Sequence, residues 1–78
     1  MEIDPSTIKS RISATLQIPA AKLRDDALIS DVVAESFALV EMVIDLQEEF
    51  GVRLGQEDVK RLRTIGDLTT LISERVAR

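Results

Sequence analysis

Apolar residues recur at helical spacing near the start of the chain. Asp4-Pro5 suits the beginning of a helix, because an Asp side chain can cap free backbone N–H groups and Pro fits the first helical position. Ile8, Ile12 and Leu16 then stand four residues apart, which places them in one stripe on one helix face. The pattern predicts a first helix, which a proline stops a few residues later.

The strongest helical pattern covers residues 36–50 and is followed by Gly51, which suits a helix C-terminal cap. At about 100° per residue, most apolar positions of this segment converge on one face. We expect that face to pack into the core. Its members are Leu39, Met42, Val43, Leu46 and Phe50.

Two weaker helical patterns and one irregular segment complete the chain. Residues 18–35 show no clear period, so we expect a loop pinned to the core by scattered apolar side chains, and a loop this long is often functional. Residues 56–62 predict a short helix, and Thr64-Ile65-Gly66-Asp67 resembles a capping box at the start of a last helix. The chain therefore predicts one all-α domain over residues 1–78. We expect a small four-helix bundle, with three longer helices, one short helix and a long loop between the first two.

The amino-acid composition excludes several kinds of functional site. The 78 residues include no cysteine and no histidine, which excludes disulfides, thiol nucleophiles, Cys/His zinc sites and histidine-based triads. No metal-ligand cluster, glycine-rich phosphate loop or nucleophile–base pair is visible, so the sequence does not favour an enzyme. No apolar run reaches membrane-spanning length. We expect a cytoplasmic monomer that does not enter a membrane.

Charge is distributed unevenly along the chain. The net charge is −4, yet the segment from Asp25 to Val52 holds eight acidic residues and no Lys or Arg. The rest of the chain holds six acids and ten bases and is net positive. An acidic middle of this kind repels nucleic acid and attracts basic protein surfaces. A face that is merely solvated by water is the simpler interpretation.

Ser36 lies where the long loop meets the strongest helix. Its position alone is explained by capping, because Ser is favoured at helix starts. No histidine is present to activate its hydroxyl, so we do not expect Ser36 to be a catalytic nucleophile.

The residues around Ser36 resemble the attachment region of acyl carrier proteins. The resemblance rests on Asp31-Val32-Val33-Ala34-Glu35-Ser36-Phe37, on the Glu48-Glu49-Phe50-Gly51 end of the acidic helix and on Thr64-Ile65-Gly66-Asp67-Leu68. It covers nearly the whole chain. It implies that a phosphopantetheinyl transferase transfers 4′-phosphopantetheine from coenzyme A to Ser36. The terminal thiol of this arm would then hold acyl groups as thioesters in fatty-acid, polyketide or related secondary biosynthesis.

Three residues near Ser36 differ from the family pattern. Glu35 replaces the usual Asp and adds a methylene, and Phe37 replaces the usual Leu with a larger apolar side chain. Val33 stands where Gly is usual, and Val does not readily adopt a positive φ angle. We expect Glu35 and Phe37 to influence which transferase recognises Ser36, and the changes favour a specialised pathway.

The acidic face of residues 36–50 is the predicted docking face. A carrier must bind several enzymes briefly, and charge speeds encounter while small apolar contacts still permit release. The resemblance implies partners of ligase, ketosynthase or acyltransferase type with basic docking surfaces. The predicted docking residues are Phe37, Val40, Glu41, Ile44, Asp45 and Glu48. The competing interpretation is that Phe37 or Ile44 packs under the loop.

Two other functions remain open at this point. Peptidyl and D-alanyl carrier proteins share the architecture and the modified Ser, although peptidyl carriers tend to be less acidic around this helix. An interaction module that kept the fold and lost the arm would also explain the altered residues beside Ser36. Such a module predicts that Ser36→Ala leaves function intact.

Overall fold

The chain folds as a bundle of helices. The structure, a computed structural model, describes residues 4–76 apart from the side chain of Ser36. Within that range no strand forms, although Leu28 and Thr64 make an isolated antiparallel β-bridge. The α-helices of the described range are α1 (Pro5–Leu16), α2 (Ile29–Val32), α3 (Ser36–Phe50), α4 (Gln56–Arg61) and α5 (Ile65–Val76). The predicted all-α bundle with three longer helices is confirmed.

The core lies where α1 packs against α3 and α5. Each of these helices contributes side chains that are completely or almost completely buried, and the loop after α1 adds one more. These residues are Ile8, Ile12, Leu23, Met42, Leu46, Ile65, Leu68 and Ile72. Of the predicted core face of α3, Met42, Val43 and Leu46 are buried, whereas Leu39 and Phe50 are half-buried.

The helix ends show which capping predictions hold. Thr64 and Asp67 form the predicted capping box, since each backbone N–H donates to the other side chain at 3.1 Å. Gly51 ends α3 in the left-handed region with φ 65°, as expected for a C-terminal cap. The prediction for Asp4 is wrong in one respect. Asp4 precedes α1, but its carbonyl oxygen, and not its side chain, accepts hydrogen bonds from the first turn.

The segment predicted as a long loop contains local structure. It holds a single 3₁₀ turn at Ala20–Lys22 and the one-turn helix α2. Helices this short show no periodicity in a sequence, so the pattern predicted neither of them.

No helix within residues 4–76 is long and apolar enough to span a lipid bilayer.

The second half of this loop is hydrogen-bonded to the start of α5. The Ile29 N–H donates to the Arg63 carbonyl, the Ile65 N–H to the Ala27 carbonyl and the Gly66 N–H to the Asp25 carbonyl, each at 2.9 Å. We call these contacts between residues 25–29 and 63–66 the loop clamp. The loop clamp holds the segment leading to Ser36 against the rest of the bundle.

Candidate functional site

Ser36 is the first residue of α3. Glu35, in extended conformation with φ −101°, occupies the cap position before it, and the Glu35 carbonyl accepts the Leu39 N–H at 3.1 Å. The capping interpretation of Ser36 is therefore wrong by one position, because Glu35 is the residue at the cap. The side chain of Ser36, which carries the predicted attachment, lies outside the part of the chain that the structure describes.

The neighbours of Ser36 are open to solvent. Ala34 and Glu35 are exposed, and Phe37 keeps 72% of its surface exposed. Val33 is buried and has φ −120°, an extended conformation that Val adopts readily. The chain thus enters α3 without the positive φ angle for which a glycine would be required.

The N-terminus of α3 suits an anionic group. Among the described side chains none caps this end of the helix, and its first turn contains no acidic residue. The first N–H groups of a helix lack intrahelical acceptors and carry a partial positive charge. A phosphate on Ser36 would therefore be stabilised by backbone N–H groups that no described side chain caps. These residues fit a phosphate-linked prosthetic group.

The apolar members of the predicted docking face are exposed. Phe37, Val40 and Ile44 retain 72%, 54% and 49% of their surface, so neither Phe37 nor Ile44 packs under the loop. Glu41 and Glu48 are exposed as well. The helix therefore presents apolar and acidic groups together on the side away from the core.

Asp45 is the exception and requires a correction. Its carboxylate accepts two hydrogen bonds from the Arg11 guanidinium, at 2.9 Å from Nε and 2.7 Å from Nη2, and one from the Thr15 hydroxyl at 2.8 Å. The side chain retains only 26% exposure. Asp45 therefore joins α3 to α1, and its carboxylate is already engaged within the chain, so it does not present a free charge to a partner.

The same contacts shift two ionisation equilibria. The hydrogen bond from Arg11 is the main cause that holds the pKa of Asp45 below its ordinary value, with a further contribution from Thr15 and opposition from desolvation. The hydrogen bond to Asp45 raises the pKa of Arg11 in turn. One signal for this cluster is visible in the sequence, because Arg11 and Thr15 stand four residues apart and share one face of α1.

Comparison with known proteins identifies the family. A sequence model of the phosphopantetheine attachment site matches residues 6–72, most of the chain. The chain is also 35% identical over 72 residues to the acyl carrier protein of Thermotoga maritima, covering 91% of this chain and 89% of that protein. This chain belongs to the acyl carrier protein family. The acyl carrier protein of Chlamydia caviae is 33% identical over 69 residues, with 87% and 90% of the two chains covered.

Membership of this family bears out several of the expectations drawn from the sequence. Acyl carrier proteins carry 4′-phosphopantetheine covalently, so the predicted cofactor is confirmed. They are carriers and not catalysts, and they act with a phosphopantetheinyl transferase and biosynthetic enzymes. The matched region spans the whole of α3 and therefore includes Ser36 and its neighbours.

Proposed function

We propose that Ser36 is the residue that carries 4′-phosphopantetheine, and that the chain holds acyl intermediates of fatty-acid, polyketide or related secondary biosynthesis as thioesters. The observation that supports this best is the position of Ser36 at the start of α3, between the exposed residues Glu35 and Phe37. The N-terminus of the helix would stabilise the phosphate of the arm.

Different groups contribute differently to the proposed carrier function. The bound arm supplies the thiol that holds the acyl group. The N–H groups in the first turn of α3 stabilise the phosphate, while Glu35 and Phe37 form the surface that a transferase must recognise on either side of Ser36. The loop clamp fixes the segment before Ser36, so the attachment residue is presented from a defined backbone.

The docking face proposed for partner enzymes is smaller than the sequence predicted. It comprises Phe37, Val40, Glu41, Ile44 and Glu48, whose side chains are exposed. Carboxylates steer a basic partner surface toward α3, and the three apolar side chains add contact area on arrival. We infer partners of ligase, ketosynthase or acyltransferase type. The cytoplasmic location, the monomeric state and the single domain over residues 1–78 stay predictions.

The experiment that tests this proposal is a mass measurement on the intact protein. The purified chain is incubated with coenzyme A and a broad-specificity phosphopantetheinyl transferase, beside a Ser36→Ala variant. We expect the wild type to gain the mass of one phosphopantetheine and the variant to gain none, because the variant lacks the hydroxyl.

A second serine variant serves as the matched control. Ser30 is exposed, lies in α2 and belongs to the same loop region, so Ser30→Ala should gain the arm like the wild type. Modification of Ser36→Ala would assign the arm to another residue. Absence of modification in the wild type with several transferases would favour an unmodified interaction module.

A further inference from the structure

The docking face is bordered by a groove on the side of α4. This α3–α4 groove has a volume of about 500 Å³, and its lining combines the exposed apolar side chains Val40 and Ile44 of α3 with Lys60 of α4. Two of the three apolar members of the docking face therefore share a surface with a cation. A protein that covers these apolar side chains meets the charge of Lys60 as well.

A second cation borders the start of α3. Arg63, in the connection between α4 and α5, lines a groove together with Glu35 and Leu39. Leu39 also lines the α3–α4 groove, so the two grooves share that residue. Lys60 and Arg63 thus lie along the same side of α3, next to its first half. We call this pair of residues the cationic edge.

Neither member of the cationic edge is neutralised by a direct contact. Both side chains are exposed, and in the described part of the chain neither makes a side-chain hydrogen bond or a contact ion pair. The pKa of the Asp67 carboxyl is lowered mainly by hydrogen bonds from the backbone, with a smaller contribution from the charge of Arg63. Both charges therefore remain available to a surface that approaches α3.

The backbone that carries the cationic edge is anchored to its neighbours. Just before α4, the Leu54 N–H donates to the Gln47 side chain of α3 at 2.9 Å. Within α4, the Asp58 carboxylate accepts a hydrogen bond from the Arg75 guanidinium of α5 at 2.9 Å. The carbonyl of Arg63 belongs to the loop clamp. The two cations are therefore held at defined positions relative to α3.

An enzyme that reaches Ser36 covers charges of both signs. A specific interface typically buries roughly 800 Å² on each partner, and this molecule measures only 30 × 25 × 20 Å. An interface of that size over the first half of α3 includes the exposed carboxylates Glu35 and Glu41 and also reaches Lys60 and Arg63. A partner with a uniformly basic surface would place like charges against the cationic edge, which is unfavourable.

We propose that the phosphopantetheinyl transferase that loads this chain presents carboxylates to Lys60 and Arg63, beside the basic patch that meets the docking face. This inference rests on Ser36 being the attachment residue. The two signs of charge fix the orientation of the transferase along α3, because a rotated complex brings like charges together. Nucleic acid or an anionic membrane is a poorer occupant, since the carboxylates of the docking face lie beside the two cations and repel it.

Charge reversal at Lys60 distinguishes this proposal from simple attraction to an acidic face. Lys60→Glu makes the chain more acidic, so attraction alone would strengthen binding to a basic partner. Contact with partner carboxylates predicts a weaker complex, and we expect the dissociation constant with the transferase to rise by roughly 3–10-fold at low salt. The measurement is a calorimetric titration of the unloaded chain, without coenzyme A, into a transferase that loads the wild type.

Arg61→Glu is the matched control for this titration. Arg61 is the neighbouring exposed cation in the last turn of α4, but it lines a different groove, together with Asp25 and Glu74. We expect Arg61→Glu to leave the dissociation constant unchanged or to lower it. Binding by Lys60→Glu that is as tight as binding by Arg61→Glu would overturn the inference.

Arg63→Gln tests the other member of the cationic edge without placing a new carboxylate beside Asp67. We expect it to weaken binding in the same direction by a smaller factor, and unchanged binding would contradict the role of Arg63. Suppose instead that Lys60→Glu keeps its affinity for the transferase but loses binding to vesicles of equal parts phosphatidylcholine and phosphatidylglycerol. The cationic edge would then be a membrane contact, and the proposal would be wrong. Loading of Ser36→Ala would refute the attachment proposal, whereas the dissociation constants would still decide on the cationic edge.

Discussion

Asp45 lies on α3 between two exposed carboxylates, Glu41 and Glu48, while its own carboxylate is bound by α1. A helical wheel separates a core face from an outer face, but it does not show where a neighbouring helix approaches the side of the outer face. Arg11 and Thr15 supply donors at that point, so a residue grouped with the docking face serves to hold two helices together. The physical cause is tertiary contact, which no pattern within α3 contains.

This contact gives the stability of the fold a specific pH dependence. The folded-state pKa of Asp45 is lowered, so its stabilising contribution is complete above the unfolded-state value of about 3.9 and is lost as the pH falls through the lower folded-state value. We therefore expect Asp45→Asn to lower the free energy of unfolding at pH 7. The difference from the wild type should shrink as the pH falls below about 4. Urea unfolding at a series of pH values measures both effects.

Glu48→Gln is the control for this pH series, because it removes the same charge from an exposed position on the same helix. We expect Glu48→Gln to leave stability at pH 7 nearly unchanged, as is usual for exposed charges. A loss of stability for Asp45→Asn that stayed constant down to pH 2 would show that the ion pair is not its cause.

Gly66, in the first turn of α5, shows how tightly the elements meet at the loop clamp. A Cβ at this position would lie 2.9 Å from the Asp25 carbonyl oxygen and 3.3 Å from its Cβ. The same carbonyl accepts the Gly66 N–H at 2.9 Å, so the two backbones cannot separate without losing that bond. The glycine is needed here for close approach of two chain segments.

Substituting Gly66 with Ala has two effects of opposite sign. Helix propensity alone would make Gly66→Ala stabilising by about 1 kcal/mol, because Ala is the better helix former. The contact with Asp25 should instead make the variant less stable by about 1–3 kcal/mol, as in other overpacked sites. Thermal or urea unfolding shows which effect is larger, because helix propensity would raise the free energy of unfolding and the contact with Asp25 would lower it.

The matched control for Gly66→Ala is Gly55→Ala, in which the added Cβ would meet the Asp58 carboxylate at an ordinary 3.7 Å. We expect a smaller loss of stability there. Gain of stability by Gly66→Ala would mean that the loop moves away at little cost, and the loop clamp would then be weaker than its hydrogen bonds indicate.

The sequence predicted the structural features that depend on residues close together in the chain. Apolar spacing located α1, α3 and α5, and the Thr64–Asp67 capping box is a contact between residues three apart. It also placed Phe37, Val40 and Ile44 correctly on the exposed side of α3. What it could not predict depends on contacts between distant residues. The loop clamp requires residues 25–29 to meet residues 63–66. The one-turn helix α2 is too short to show a period in the sequence.

At the scale of the whole molecule, the acidic segment between Asp25 and Val52 is folded against flanking segments that are net positive. Several flanking cations are paired within the chain, as in Lys9–Asp25, Arg11–Asp45 and Arg75–Asp58. Glu41 and Glu48 on the docking face are exposed, and no ion pair with them occurs among the described residues. Their charges are thus left to act on molecules that approach α3.

Reversing one of these charges should slow association with basic partners. We expect Glu41→Lys to lower the association rate constant with a phosphopantetheinyl transferase by roughly 3–10-fold at low ionic strength, with a smaller effect at high salt. Stopped-flow measurement at two salt concentrations provides the comparison.

Glu74→Lys makes the same change of charge at an exposed position on α5, and it should have little effect on the rate constant. Equal slowing by both variants would assign the effect to net charge and not to the docking face. Unchanged kinetics for Glu41→Lys at low salt would contradict steering by this face.

The loop clamp also affects when the segment before Ser36 can fold while the chain is being synthesised. Its two halves are residues 25–29 and residues 63–66, so the second half leaves the ribosome only after all the residues between them. Until then, the loop clamp cannot form, and the segment before Ser36 lacks the support of these hydrogen bonds. We therefore expect a nascent chain to become a proper substrate for modification only after residues 63–66, at the start of α5, have emerged from the ribosome.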